Sequence, residues 1–140
     1  PFRKRLAESL GLEVVHPGEN GADGRPADIV FDCAAHPSVA GQLVQAVKVR
    51  GRIILVGTYK YPAELDLQNI TFKEVRLIGT RVYTRKDYDI AISLMNQNFN
   101  FESMITQEFP VESAEEAFRL LASGGDCVKV MISLQEAGSK

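Results

Sequence analysis

Hydrophobic residues along the chain change between helical and strand-like spacing, which predicts helices interleaved with strands. In the N-terminal run, Phe2, Leu6, Ala7 and Leu10 repeat at helical spacing, and Gly11 follows where a helix commonly ends. No N-cap residue, initiator methionine or strand precedes this helix. We therefore expect the chain to be one part of a longer protein.

Three continuous apolar runs predict buried strands of a parallel sheet. A helix predicted between the first two begins at Pro37 and ends at Gly51, and a crossover with one helical turn near its end joins the last two. This order of elements is typical of a doubly wound α/β sheet with right-handed connections. The three runs are Ala27–Cys33, Arg52–Gly57 and Glu74–Val82.

The C-terminal part has a different order of elements. Thr84 and Asp87 have the spacing of a capping box, and the helix that follows has one apolar face. A second helix is predicted between Ser113 as N-cap and Gly124 as stop, with short strands at 104–109 and 127–134 on either side. A domain boundary is therefore expected near Val82–Thr84. The apolar face comprises Tyr88, Ala91, Ile92, Met95 and Phe99.

Composition narrows the class of protein. The 140 residues suffice for one domain or parts of two, and 45% hydrophobic content argues against disorder. Sixteen basic and eighteen acidic residues give a net charge of −2, so a nucleic-acid partner is not expected. No membrane span or signal peptide is visible. Two cysteines without framework spacing favour a reducing, cytoplasmic setting.

Several segments, taken in order, resemble one enzyme family. They are "RLAESLG", "ADIVFDCAAHPSV", "GRIILVGTY", "LIGTR" and "ITQEFPVESAEEAFRLLASGGDCVKVMI". This series is similar to the C-terminal part of the zinc-dependent medium-chain alcohol dehydrogenases, in particular the sorbitol, polyol and threonine dehydrogenases. The resemblance extends to about Leu134, and no single motif within it is decisive.

The resemblance implies a fold, a reaction and cofactors. The fold would be a partial Rossmann domain over residues 1–83, lacking its first strands, followed by an α+β segment, residues 84–140, that returns to the catalytic domain. The intact enzyme would transfer a hydride between a secondary alcohol or polyol and NAD or NADP, assisted by zinc. The G-x-G-x-x-G turn, the ribose-binding acid and the zinc ligands of the family are not in this sequence, so the chain alone is expected to be inactive.

Two alternatives remain open on the sequence. One is a zinc-free quinone or enoyl reductase of the same superfamily. The other, from a different class, is a non-enzymatic α/β binding module that is complete at 140 residues. The uncapped first helix argues against the second alternative.

The resemblance also implies cofactor-binding residues. Loops after the three strands would lie along the nicotinamide half of the cofactor, at the carboxyl edge where open α/β sheets bind ligands. Arg3 would lie near the adenosine, or is a solvated helix residue. Lys129 would reach the pyrophosphate, or simply faces outward from its strand. The loop residues are Cys33, Ala34, Ala35, Val56, Gly57, Thr58, Thr80, Arg81 and Val82.

Other residues could in principle bind a metal or take part in catalysis, but their spacing supports neither role. Cys33, His36, His16 and Cys127 lack the paired spacing of a zinc site, so we predict no metal ligand among them. Asp28 and Asp32 have no His, Ser or Lys at triad spacing, and we assign no catalytic residue. Aromatic packing is the expected role of Tyr59, Tyr61 and Tyr83.

The strand order expected from the resemblance has a consequence for assembly. Glu74–Val82 would be an edge strand that pairs with its symmetry mate, which predicts a homo-oligomer. Ala27–Cys33 would lack a neighbour on its other side and present a second unpaired edge.

Overall fold

The computed structural model describes residues 2–15, 25–97 and 101–134. The chain divides into two compact units, one formed by Val14–Tyr83 and the other by Pro1–Glu13 together with Thr84–Lys140. Helix α1 (Phe2–Ser9) therefore belongs to the same compact unit as the C-terminal part, to which the guanidinium of Arg3 is hydrogen-bonded. Among the described residues, no helix is long and apolar enough to cross a membrane.

The unit Val14–Tyr83 is built on a three-stranded parallel sheet with the strand order β1-β2-β3. One helix connects the first two strands and a shorter helix lies in the second crossover, which confirms the predicted α/β architecture and the helical turn before the third strand. The sheet also confirms Arg76–Gly79 as an edge strand among the described residues. The elements are β1 (Ala27–Asp32), α2 (Pro37–Ala46), β2 (Val47–Leu55), α3 (Leu67–Phe72) and β3 (Arg76–Gly79).

All three strands end earlier than predicted, β2 begins five residues earlier, at Val47, and β1 is less buried. Cys33 and Gly57 lie beyond the last residues of β1 and β2, and β3 covers only four residues of the predicted Glu74–Val82 run. Phe31 on β1 is 62% exposed, and β1 pairs on one side only among the described residues. An apolar run therefore identified the strand correctly and its burial incorrectly.

The predicted end of α2 at Gly51 is wrong. The helix ends at Ala46, and Val47 adopts an extended conformation as the first residue of β2. The ammonium of Lys73 donates to the carbonyl oxygens of Val44 at 2.7 Å and Val47 at 3.0 Å, which satisfies the helix end without a glycine. Gly51 instead lies inside β2, where a Cβ would come within 2.5 Å of the Val47 side chain.

The core of this unit lies where α2 packs against β2. Leu43, Val44, Val47 and Ile53 form one buried cluster, and partly buried side chains from β1, α2, β2 and the second crossover pack around it. Asp66 caps α3 by accepting from the backbone N–H of Asn69 at 2.9 Å. The core thus joins α2 to β1, β2 and the second crossover.

The second unit contains α1 and the elements that follow Tyr83. Its two strands pair in parallel. The predicted Thr84–Asp87 capping box is present at the start of the helix Arg85–Met95. Ser113 is the N-cap of the last helix, and Gly124 follows that helix with φ +67°, as predicted. Phe99 lies outside the described residues. The elements are α4 (Arg85–Met95), β4 (Ile105–Pro110), α5 (Ala114–Ala122) and β5 (Lys129–Ser133), with 3₁₀ turns at Phe101–Met104 and Val111–Ser113.

Candidate functional site

The carboxyl ends of β1, β2 and β3 meet at one edge of the sheet. Because the strands are parallel and in register, Asp32 pairs with Leu55, and Leu55 pairs with Gly79. The three loops predicted from the sequence to bind a cofactor therefore emerge side by side. They are Cys33-Ala34-Ala35, Val56-Gly57-Thr58 and Thr80-Arg81-Val82.

Backbone hydrogen bonds hold the first two of these loops together. The N–H groups of Val56 and Gly57 both donate to the carbonyl oxygen of Asp32 at 2.9 Å. The third loop is tied to β2 because the N–H of Thr80 donates to the carbonyl oxygen of Leu55 at 3.0 Å. The edge thus has a defined backbone geometry over all three loops.

Gly57 is required by the close approach of the first two loops. A Cβ at this position would lie 2.7 Å from the Cβ of Ala35 and 3.0 Å from its backbone nitrogen. The physical reason for a glycine here is contact between neighbouring loops. Ala35 itself adopts a positive φ of 48°, a strained conformation for a residue with a side chain.

Asp32 is a buried carboxylate at the centre of this edge, with a relative exposure of 2%. Its Oδ1 accepts from the N–H groups of Ala34 and Ala35, each at 3.0 Å, and its Oδ2 accepts from the Tyr59 hydroxyl at 2.6 Å. Burial by itself would raise the pKa of Asp32. The hydroxyl and the two amides outweigh that effect and hold the pKa below its ordinary value. The side chain is therefore a charged acceptor at neutral pH.

Tyr59 follows the second loop and donates its hydroxyl hydrogen to Asp32. Burial first, and then the hydrogen bond and the negative charge of Asp32, raise the pKa of Tyr59 to about 12. Sequence reasoning gave Asp32 no role and gave Tyr59 only packing. An acidic residue at the end of an apolar strand could have indicated the pair, because a buried charge needs hydrogen-bond donors.

Arg3 and Lys129, the two predicted basic contacts, both lie in the other unit. Nε of Arg3 donates to the carbonyl oxygen of Cys127 at 3.0 Å. Lys129 is the first residue of β5 and is exposed. The N–H of Val128, which lies between Cys127 and Lys129 in the sequence, donates to the hydroxyl oxygen of Thr106 at 2.9 Å. The structure thus brings Arg3 close to the start of β5, and it gives the arginine a structural contact beyond solvation.

The cysteines and histidines have separate surroundings. Cys33 is exposed just past β1, and Cys127 is buried in the other unit; neither is in a disulfide. His36 caps α2 by accepting from the N–H of Ser38 at 3.3 Å. His16 lies outside the described residues. Within 2–15, 25–97 and 101–134, no three His, Cys, Asp or Glu side chains group so as to hold a metal ion.

Comparison with solved structures supports the fold. The 2R,3R-butanediol dehydrogenase of Bacillus subtilis superimposes with a TM-score of 0.85 at 24% identity, over 96% of this chain and 42% of that one. A short chain alcohol dehydrogenase of E. coli CFT073, determined with NADH, superimposes with a TM-score of 0.81 at 23% identity, over 95% of this chain and 42% of that one. At these identities the likeness concerns the fold.

Sequence comparison identifies the family. Sorbitol dehydrogenase 1 of Saccharomyces cerevisiae is 32% identical over 111 residues, 78% of this chain and 31% of the relative. D-arabitol-phosphate dehydrogenase of Enterococcus avium is 30% identical over 141 aligned positions, 93% of this chain and 40% of the relative. The chain spans about a third of the length of the sorbitol dehydrogenases that it matches. Residues 1–97 match the family model for zinc-binding dehydrogenases, and the chain belongs to that family.

Proposed function

We propose that this chain contributes the nicotinamide-facing loops of an oxidoreductase that transfers a hydride between a secondary alcohol or polyol and NAD or NADP. Residues 1–83 would supply the C-terminal part of the cofactor-binding domain, and residues 84–140 would return to a catalytic domain. The observation that carries the proposal is the joined carboxyl edge of the parallel sheet, the location at which open α/β folds bind ligands. The named activities of the relatives, on sorbitol, arabitol phosphate and butanediol, support the substrate class.

The groups available at this edge fit one face of a nicotinamide ring. The N–H groups of Ala34, Ala35, Val56 and Gly57 all donate to Asp32 at the end of β1. Polar contacts to a cofactor would therefore come from carbonyl oxygens and from the exposed Thr58 and Thr80 hydroxyls. Apolar contact is available because the side chains of Val56 and Val82 are 45% and 81% exposed. When bound, the cofactor supplies the hydride acceptor or donor.

Arg3 and Lys129 would contribute the positive charge that a dinucleotide requires. Arg3 keeps its terminal guanidinium nitrogens in addition to the Nε bonded to Cys127, and Lys129 offers a mobile ammonium. Zinc is different, because the described residues provide no ligand group for it. Zinc-assisted activation of the substrate would therefore rely on ligands outside those residues, and no catalytic residue is assigned here.

The cofactor proposal is tested by titrating the isotope-labelled chain with NADH and with NADPH while following backbone amides by NMR. We expect weak binding, on the order of millimolar, with shifts concentrated in the three loops that follow β1, β2 and β3. Lys129→Ala should weaken it further. Arg119→Ala, at an exposed position of α5, is the control. Shifts confined to residues away from these loops would contradict the proposal.

Edge strand β3 supports a homo-oligomer. It pairs only with β2 among the described residues, all four of its residues are exposed, and Leu77 and Ile78 are 41% and 42% exposed. A second copy could add its own β3 in antiparallel pairing and extend the sheet. Light scattering should show a dimer that Ile78→Pro abolishes, whereas a wild-type monomer at tens of micromolar would contradict this.

We also propose a cytoplasmic location for the protein, which its two unpaired thiols support.

A further inference from the structure

Two loops of the candidate site converge on a single residue. The carboxylate of Asp32 accepts from the N–H groups of Ala34 and Ala35 and from the hydroxyl of Tyr59. Its backbone carbonyl accepts from the N–H groups of Val56 and Gly57. Every one of these donors lies in the loop after β1 or in the segment after β2. Asp32 is therefore the common acceptor of both.

We propose that Asp32 is a positioning residue for the nicotinamide-facing surface, and that Tyr59 locks the second loop against it. The inference rests on the proposed function in one respect, the identity of the ligand that faces the loops. Its structural part, the coupling of two loops through one hydrogen-bonded carboxylate, is independent of the ligand. Neither residue is proposed to take part in hydride or proton transfer.

The chemistry of the carboxylate explains why an acid is needed at this position. An ionised carboxylate only accepts hydrogen bonds, so both of its oxygens can face donors at once. Oδ1 faces two backbone amides and Oδ2 faces the Tyr59 hydroxyl. Asp32 is 2% exposed, so water has little access to its carboxylate. If one carboxylate oxygen were lost, the donors that face it would therefore be left without an acceptor. Hydrogen bonds to a charged group are also among the stronger ones.

The arrangement decides which backbone groups the site can offer. Four loop amides are committed to Asp32, so the loops present carbonyl oxygens and small side chains to a ligand. Without the Asp32 side chain the amides of Ala34 and Ala35 would need another acceptor, whereas those of Val56 and Gly57 would keep the backbone carbonyl of residue 32. The loop after β1 would then rearrange, and Tyr59 would lose the acceptor that holds the second segment. The expected functional consequence is confined to the part of the cofactor that meets these loops.

The first experiment measures loop order directly. Asp32→Asn keeps the shape but replaces one acceptor oxygen with a donor, and Tyr59→Phe removes only the hydroxyl. We expect the amides of Ala34 and Ala35 to exchange with solvent roughly tenfold faster in Asp32→Asn, which weakens their acceptor. We expect those of Val56 and Gly57 to exchange roughly tenfold faster in Tyr59→Phe, which releases the second segment from the carboxylate. Unchanged exchange at those amides in Tyr59→Phe would overturn the proposed lock, even if Asp32→Asn fails to fold.

The chain offers matched controls for both variants. Asp28 lies on the same strand and pairs with Lys48 in an exposed ion pair, and Tyr61 is 76% exposed two residues after Tyr59. Asp28→Asn and Tyr61→Phe should leave exchange at the loop amides unchanged. Equal acceleration in the controls would mean that general destabilisation is responsible, and would overturn the inference.

The second experiment separates positioning from fold maintenance. NADH and ADP-ribose share the adenosine diphosphate portion, and only NADH carries the nicotinamide. We expect Tyr59→Phe to reduce the affinity for NADH roughly tenfold relative to that for ADP-ribose, with ADP-ribose binding unchanged. Global loosening of the fold would weaken both ligands together.

The two readouts distinguish failure of the inference from failure of the proposed function. Faster loop exchange with an unchanged ratio of NADH to ADP-ribose affinity would retain the loop coupling and refute nicotinamide binding at these loops. If the wild-type chain binds neither ligand, the proposed cofactor site is refuted and exchange alone decides the coupling. Unchanged exchange with a reduced ratio would refute the coupling and leave the cofactor site supported.

Discussion

The two compact units differ in how much of each is held by buried apolar side chains. In Val14–Tyr83, one cluster of fully buried residues joins α2 to the central strand β2, which pairs on both sides. In the other unit, the described apolar residues that are buried are Ala117 and Cys127, and α4 buries none of its residues. Strands β4 and β5 each have one partner there among the described residues. The three loops of the candidate site thus belong to the unit that has its own buried apolar core.

The largest expected difference between the units concerns two isoleucines. Ile53 is 0% exposed in β2, whereas Ile92 is 57% exposed in α4. Ile53→Ala should lower the free energy of unfolding by about 2–5 kcal/mol, because it leaves a cavity in a packed core. Ile92→Ala should change it by less than about 0.5 kcal/mol. Urea unfolding measures both, and equal losses would remove the contrast between the units.

Two glycines test a different kind of constraint in each unit. Gly57→Ala should cost about 1–3 kcal/mol because its Cβ would crowd Ala35. Gly124→Ala should cost about 1 kcal/mol, since its φ of +67° strains any side chain although nothing lies within 4 Å. Gly79→Ala is the control, with open space around it and no positive φ. Thermal unfolding ranks the three, and a neutral Gly57→Ala would mean that the loops are not in close contact.

Alkaline pH tests the buried pair at the site. The pKa of Tyr59 is raised from 10.0 to about 12, so its contribution to stability is complete below pH 10 and is lost as the pH rises toward 12. The stability of wild type relative to Tyr59→Phe should fall by on the order of 2 kcal/mol over that interval. Chemical unfolding at pH 9, 10, 11 and 12 measures the difference, and a constant difference would contradict the proposed hydrogen bond to Asp32.

Acid pH tests the same pair from the other side. The pKa of Asp32 is lowered, so its contribution is present above its ordinary value of 3.8 and is lost as the pH falls below that value. Acid unfolding of wild type and Asp32→Asn should therefore converge only below pH 3.8. Convergence near neutral pH would show that the carboxylate is not stabilised by its donors.

The smallest expected effect is at an exposed ion pair of the second unit. Nη2 of Arg119 lies 2.6 Å from Oε1 of Glu115 in α5, and the two side chains are 76% and 79% exposed, respectively. Arg119→Gln should cost about 0.3–0.5 kcal/mol and less at high salt, because solvent and ions screen the pair. A double-mutant cycle with Glu115→Gln isolates the interaction. A coupling energy above about 1 kcal/mol would indicate more local order in this unit than its burial suggests.

The elements and their order were predictable from the sequence, and their ends less so. Periodicity located the helices and parallel strands, and the Thr84–Asp87 capping box was correct because it depends on residues close in sequence. The end of α2 was missed because the group that caps it, Lys73, comes from a distant part of the chain. Strand ends and the exposure of β1 depended on which neighbours are present.

The candidate site was predictable as a set of loops but not as a hydrogen-bonded arrangement. The positions of the three loops followed from the strand pattern and the family resemblance. The roles of Asp32 and Tyr59 did not, because a residue 27 positions away in sequence supplies the donor.

The sequence by itself determined the fold class, the family and the three loops that meet at one edge of the sheet, since these depend on local patterns and on order along the chain. Only the tertiary structure decided which amides face inward, which glycine is crowded and which carboxylate is buried. Those properties arise when loops far apart in sequence come within hydrogen-bonding distance, where desolvation and close packing make individual contacts count.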